Sequence, residues 1–486
     1  MALDQVQATR QDKAIAPSKL HLKLAVLAVA LVGAFALMLV PSDALSVQGK
    51  LSIIVFGAAV LAWSLTTLDS TYVALIAALA PVLAGQMPAD ALFATLSDPM
   101  IWLLMSAFII AAAFTGSGLA GRMTRALLKG NMTLARMFPR IVLAGLVSAL
   151  VIPSTSGRAA LFLPIFQALK EGVSAKAAKA LSLLIPVTIL LSAAASLIGA
   201  GAHLVMVELV AGMGGARISY LQWLILGAPF ALASCALSAL VILYLFTDSD
   251  IRQTPFEVTP ILDEKRSLCG AERVVLFTVI ALVTLWISEP LHGLPTALIA
   301  LCGAALVTAP KIGVLPLKKA LGEVNWALLL FMAATLHMGA TLVESGAAAW
   351  IVAVPFATMS GHAIALIAMV IAVSLMAHLV ITSRTARATV LVPIILLAAT
   401  PAGLNPAALA FLSTIAAGYC LTLPVSAKPL VLFSQLDGAT FSQADLLRLG
   451  LWLIPLHLVL LTLFAFFVWP ALGLDLFGPA RITGAN

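Results

Sequence analysis

Apolar runs long enough to cross a bilayer recur along the whole chain, from Leu22 to Val40 through to Leu449 to Trp469. Spanning takes roughly 20 residues of helix, and in lipid only helices or closed barrels satisfy their own backbone groups. The runs lie near 22–40, 51–67, 71–85, 99–119, 179–211, 220–246, 272–288, 294–309, 324–345, 406–435 and 449–473. Two further stretches, 134–170 and 362–400, each hold two apolar arms interrupted by a polar, arginine-bearing tip. That is the pattern of a re-entrant hairpin, since irregular backbone at membrane depth is tolerated only around a cavity or ligand. The arms are generally too short to span. The expected class is an all-α polytopic membrane protein of about 11 transmembrane helices plus two re-entrant hairpins in an inverted repeat.

Composition narrows the function. With 62% hydrophobic and only 10% charged residues the chain is unsuited to water, where about 25% charged is usual. The net charge of +7 is scattered over short loops and forms no groove with interleaved aromatics, which excludes nucleic acid as a partner. Cys235, Cys269, Cys302 and Cys420 lie far apart, without the close pairs of metal or redox sites. Neither a His-Glu-x-x-His run nor a Gly-x-Ser-x-Gly elbow is present, so nothing points to an enzyme, a resident metal or a cofactor beyond a coupling sodium ion or proton.

An odd number of spans, with the N-terminus inside, places most of the 27 lysines and arginines on the cytoplasmic side, against Lys50, Arg217 and Arg481 outside. The chain is thus expected in the cell's inner (plasma) membrane, N-terminus cytoplasmic and C-terminus outside. It divides into an N-terminal tail and first helix (1–48), a first repeat (49–247), a cytoplasmic linker (248–270), a second repeat (271–474) and a C-terminal tail (475–486). The first helix reads as uncleaved, being longer than a signal segment and followed at once by more spans.

The repeat is visible in the tips. Ser154-Thr155-Ser156-Gly157-Arg158-Ala159, followed by Pro164-Ile165, returns as Ser383-Arg384-Thr385-Ala386-Arg387-Ala388, followed by Pro393-Ile394. A second pair of polar breaks comes later in each half, around Gly199 to His203 and around Thr422 to Pro429, the latter holding Ser426 and Lys428. Four broken elements converge on one site. An arginine near the bilayer centre costs about 2.5 to 3.5 kcal/mol even on the lenient scale, so Arg158, Arg384 and Arg387 are expected to face partners or water. With no acid to balance them, a small anionic substrate supplies the charge, met by paired guanidinium donors, Ser and Thr hydroxyls and helix N-termini. The plainer alternative is that these arginines snorkel to headgroup phosphates.

These motifs resemble the divalent-anion:sodium symporter family, the carboxylate and sulfate transporters of a broader ion-transporter superfamily, over residues of about 50 to 473. The resemblance aligns the family's two Ser-Asn-Thr tips with Ser154-Thr155-Ser156 and Ser383-Arg384-Thr385, and its Gly-Thr-Pro-Pro-Asn-like breaks with Gly199 to His203 and Val425 to Pro429. It implies a scaffold that forms a homodimer and a transport domain that carries di- or tricarboxylate or sulfate by an elevator movement. Substrate would sit at Ser154, Thr155, Ser156, Arg158, Ser383, Arg384, Thr385 and Arg387. The coupling-ion or surrogate-cation site would use Gly199, His203, Ser426 and Lys428. Here Thr155 and Arg384 replace both tip asparagines, and Lys428 and His203 stand in the sodium loops. Like charges 4 Å apart repel by about 4 kcal/mol at an effective dielectric near 20, which disfavours classical sodium coupling. Three couplings remain open: Lys428 and Arg384 as fixed surrogates in an exchanger or uniporter, a proton on His203, His337, His378 or His457, or sodium held by backbone carbonyls. A cation antiporter or arsenite-efflux-type permease is the rival class, though it would need buried carboxylates.

Overall fold

A computed structural model of the chain describes residues 28–478, except 30, 67, 120, 121, 123–131, 214, 216, 257–266 and 357–361. The N-terminal tail, most of the linker's acidic stretch and the tail beyond 478 lie outside the described residues, and with them Arg481. Helix dominates. The paired strands among the described residues are Met132–Thr133 and Pro255–Phe256, antiparallel, with Met132 opposite Phe256.

The helices that position the centre are α1 (Val47–Leu65), α2 (Ser70–Leu83), α3 (Pro99–Gly116), α4 (Leu134–Val151), α5 (Thr155–Glu171), α6 (Ala175–Ser192), α7 (Gly201–Gly212) and α8 (Tyr220–Phe246) in the first half. The second half holds α9 (Gly270–Ile287), α10 (Thr296–Val307), α11 (Trp326–Glu344), α12 (Ala347–Phe356), α13 (Ala363–Met376), α14 (Arg384–Ala399), α15 (Pro406–Ala417), α16 (Lys428–Ser434) and α17 (Gln443–Leu463). Element order repeats between halves. Short helices Ala89–Ala94 and Leu317–Gly322 each start from a proline N-cap, Pro88 and Pro316, before α3 and α11.

Local chemistry sets these boundaries. Side chains of Asp69, Asp98, Asn325 and Asn405 accept the first backbone N–H groups of α2, α3, α11 and α15, and Ser219 and Ser442 close capping boxes with Gln222 and Asp445. Pro164 and Pro393 recur at one register in α5 and α14.

Eight described helices are long and apolar enough to cross a membrane. The runs 179–211 and 406–435 are interrupted where their polar breaks fall: the first stops at Ser192 and resumes at Gly201, the second stops at Ala417 and resumes at Lys428. Two expectations need adjusting. Helices at 71–85 and 294–309 run from Ser70 to Leu83 and from Thr296 to Val307, 14 and 12 residues. The first hairpin arm, α4, is 18 residues and by length alone qualifies as a span, so arm length does not separate a hairpin from a span pair.

Burial runs from the centre outward. Within its most apolar window, Ala175–Ala195 is 89% buried, whereas α1 and α9 are 28% buried and α9 turns Phe277, Ile280, Leu285 and Ile287 outward. Apolar side chains on the outside are expected where the solvent is lipid. The linker is tied back at its start: Lys176 donates to Asp248 at 2.7 Å, and that hydrogen bond holds the exposed carboxyl below its usual range.

Candidate anion site at the broken centre

Ser154 and Ser383 cap the helices that leave the two tips, accepting from the backbone N–H of Gly157 at 3.2 Å and of Ala386 at 3.3 Å. This cap explains the shared Ser-x-(Ser/Thr) pattern: the serine ends an extended segment and starts a helix whose first N–H groups need an acceptor. Thr155, Ser156, Arg384 and Thr385 follow in the first turns, partly exposed.

Two of the three arginines turn away from water, whereas Arg384 stays partly exposed. Arg158 and Arg387 are 0% exposed, one helical turn behind the caps, with their side chains directed into the protein. That burial also removes the snorkelling alternative for both. Arg158 Nη1 donates to Ser192 Oγ at 2.8 Å, at the very end of α6, and reaches Gly145 O at 3.5 Å; its Nε and Nη2 meet no acceptor. Apart from a loose contact with the Cys420 thiol, the three guanidinium nitrogens of Arg387 have no hydrogen-bond partner. Arg384 lies within electrostatic range of both. Its Nη2 donates to Gly418 O at 2.9 Å and Leu190 O at 3.3 Å, linking the carbonyls at the ends of α15 and α6.

Among the described residues no carboxylate pairs with this charge. The ion pairs of the described residues are Arg122–Glu272, Lys176–Asp248, Lys179–Asp445 and Arg217–Glu208, and none includes a tip arginine.

The two breaks are built alike. Before α7 the backbone passes through Ala200 at φ −154°, ψ 145°, and before α16 through Ala427 at φ −157°, ψ 138°. Each extended residue leaves the N–H groups of the next helix free of intrahelical acceptors. Gly199 is required by close approach, since a Cβ there would sit 2.2 Å from Ala193 O. Thr385 Oγ1 lies beside Gly201, so the second tip abuts the first break. The first hairpin reaches the second break through α5, where Phe166 meets Phe433 edge-on at 5.6 Å.

The remaining expected coupling residues fall differently. His203 is buried, its Nδ1 3.0 Å from Ser196 O and its ring stacked on Trp223 at 4.6 Å. Ser426 is buried with an unpartnered hydroxyl. Lys428, at the first position of α16, is exposed and forms no ion pair among the described residues. His378 pairs with Thr422 Oγ1 at 2.8 Å and His457 with Ser234 Oγ at 3.2 Å, which are helix-packing contacts.

Several residues of the centre carried no sequence signal that singled them out. Ser192 holds Arg158. Tyr419, whose ring lies against His378 and His457 and whose hydroxyl is unpartnered, lines a small cavity with Arg384 and His203. The Gly418-Tyr419-Cys420 interruption just ahead of the second break was the available hint.

Residues 18–474 match the transmembrane region of sodium:sulfate symporters. A membrane protein of Cupriavidus necator is 26% identical over 394 residues, 78% of this chain and 76% of that one. The sodium-dependent dicarboxylate transporter SdcS of Staphylococcus saprophyticus is 25% identical over 284 residues, 54% of each chain. The chain therefore spans about half the length of the dicarboxylate transporters it matches. The Alcanivorax borkumensis YdaH transporter, itself of unusual topology, aligns with a TM-score of 0.56 at 15% identity, over 86% of this chain and 92% of that one, a likeness of fold.

Proposed function

The chain belongs to the sodium:sulfate symporter family, and from that premise we propose that it is a secondary transporter of small di- or trivalent anions, di- and tricarboxylates or sulfate, working as an exchanger or with protons rather than with sodium. The observation that carries this reading is the cluster of Arg158, Arg384 and Arg387, two of them fully buried, at the broken centre with no carboxylate among the described residues paired to it. A dianion supplies the missing charge, and the unused guanidinium nitrogens supply paired donors for its oxygens. Ser154, Thr155, Ser156, Ser383 and Thr385 add hydroxyls and helix N-terminal N–H groups.

The coupling follows from Arg384. Its guanidinium occupies carbonyls at the ends of both interrupted helices, where a sodium ion held by backbone oxygens would compete with a fixed positive charge. Arg384 thus takes the role of permanent counter-charge, with Gly199, His203 and Ser426 shaping the surrounding breaks and Lys428 an exposed charge at the second. Substrate binding is then indifferent to sodium. A thermal-shift titration of purified protein with succinate, citrate and sulfate is expected to raise the melting temperature equally in sodium and potassium buffers of one ionic strength; a shift that requires sodium would return the chain to sodium symport. The sodium-dependent relatives favour that second reading.

The transport cycle we infer is an elevator, with the tips and breaks moving as a body against a scaffold through which two copies associate. The N-terminus lies in the cytoplasm and the C-terminus outside, in the cell's plasma membrane. In a background lacking Cys269 and Cys302, a cysteine at Asp250 should label only from the cytoplasm and one at Gly478 only from outside. Labelling of both from one face would overturn the odd-span arrangement.

A further inference from the structure

A groove between α3, α10 and the short helix Leu317–Gly322 takes no part in the anion site. It is open-sided and holds about 890 Å³, within the range of about 300–1,000 Å³ that ligand sites occupy. Met105 and Ile109 of α3, Leu301 and Ala305 of α10, and Leu317 and Leu321 of the short helix form its apolar walls. From Leu301 to the end of α10 at Val307 the wall runs about 9 Å along the helix axis, at about 1.5 Å per residue.

Among the residues that line it Lys311 carries the charge, and none is acidic. Lys311 forms no ion pair among the described residues. Its backbone is left-handed, at φ 77°, a conformation lysine rarely adopts. The turn that imposes it is tightly closed: Gly313 N–H donates to Ala309 O at 2.8 Å and Val314 N–H to Val307 O at 2.7 Å. A Cβ on Gly313 would lie 2.6 Å from both the nitrogen and the oxygen of Ala309, so only glycine closes the turn in this shape. The turn thus fixes a cation on an apolar groove. Lys318 and Lys319 are exposed on the adjoining helix, which ends at the exposed Glu323.

The rim indicates the occupant. Ile312 is 58% exposed and Leu317 50%. Trp326 is 49% exposed, and its indole N–H donates to the backbone oxygen of Leu321 at 3.1 Å. An exposed ring with an anchored N–H is the habit of tryptophan at the membrane–water interface, which puts the mouth of the groove at headgroup depth. A small aqueous ion would leave the apolar walls uncovered, and a neutral lipid would leave the ammonium without a counter-charge.

We propose that this groove binds an anionic phospholipid, its acyl chain laid between α3 and α10 and its phosphate on the Lys311 ammonium. Basic pockets between membrane helices take anionic headgroups for the same reason. The site is independent of which anion is carried and of how its transport is coupled.

The test uses the full chain in detergent, with phosphatidylglycerol and phosphatidylcholine of identical acyl chains added in turn and bound lipid counted by native mass spectrometry. Phosphatidylglycerol is expected to bind in preference to phosphatidylcholine. Its affinity is expected to fall about fivefold in Lys311→Gln, the change for one basic residue at an anionic surface. Lys311→Arg is expected to retain it, as is Arg136→Ala, which removes an exposed cation of α4 instead. Ala305→Trp, which fills the exposed wall and leaves the charge in place, is expected to expel the lipid. Equal binding of the two lipids, or unchanged phosphatidylglycerol binding in Lys311→Gln, overturns the proposal. So does a lipid count unchanged in Ala305→Trp; if that variant separates dimers into monomers while the lipid stays, a second copy of the chain covers the groove.

Discussion

Replacing Arg387 with leucine is expected to raise the melting temperature of the substrate-free protein and to abolish any response to succinate or sulfate. The two effects have one cause. Arg387 is fully buried, its three guanidinium nitrogens lack acceptors save for a loose thiol contact, and no carboxylate among the described residues pairs with it. Burying an ion costs several kcal/mol even after relaxation, a penalty that only a bound anion offsets. An isosteric apolar side chain removes the penalty and the anion's partner together. Arg158→Leu is expected to gain less, because it also loses the 2.8 Å hydrogen bond to Ser192. Lysine at either position restores little binding, since an ammonium cannot reproduce the planar fork. Thermal unfolding with and without anion checks this, and a melting temperature that falls in Arg387→Leu would mean that the guanidinium is already balanced inside the protein.

Gly199→Ala has the opposite character and the larger effect on folding. A Cβ at this position would lie 2.2 Å from Ala193 O, 3.0 Å from its carbonyl carbon and 3.1 Å from its Cα. These are backbone atoms of the same break, so no side chain can rotate away. Overpacking ordinarily costs about 1–3 kcal/mol, occasionally more; a rigid backbone contact belongs at the upper end. Opening the turn would also displace Ala200 and the start of α7 from Thr385 at the second tip. The expected result is loss of monodisperse protein on size exclusion or, where folded protein survives, loss of the anion thermal shift. Gly57→Ala is the matched control: nothing lies within 4 Å of its Cβ position, and alanine in a helix interior gains about 1 kcal/mol over glycine. Equal behaviour of the two variants would show that the break tolerates a wider turn.

The membrane-helical class and the four broken elements were legible in the sequence because both depend on local chemistry. Long apolar runs have one stable form in lipid. The tips carry a serine that caps a helix and an arginine one turn later, a pattern that survives in two copies. The breaks carry small and polar residues where continuous helix would otherwise run. Helix ends were less legible: α2 ends at Leu83 and α10 at Val307, each two residues before the end of its apolar run.

Three-dimensional packing alone decided what each charge does. Nothing in the order of residues says that Arg158 and Arg387 turn inward and are covered, that Arg384 reaches carbonyls of Leu190 and Gly418 from opposite halves, or that Lys428, in the same break as Ser426, is exposed. The same holds for Glu208, which looks like a helix-end carboxylate in the sequence and lies buried against Arg217 in the fold. The reason is one of range. Caps, breaks and apolar length are settled within a few neighbouring residues, whereas burial and charge balance depend on groups from other elements, such as Leu190 and Arg384, that only the closed packing of the two halves brings together.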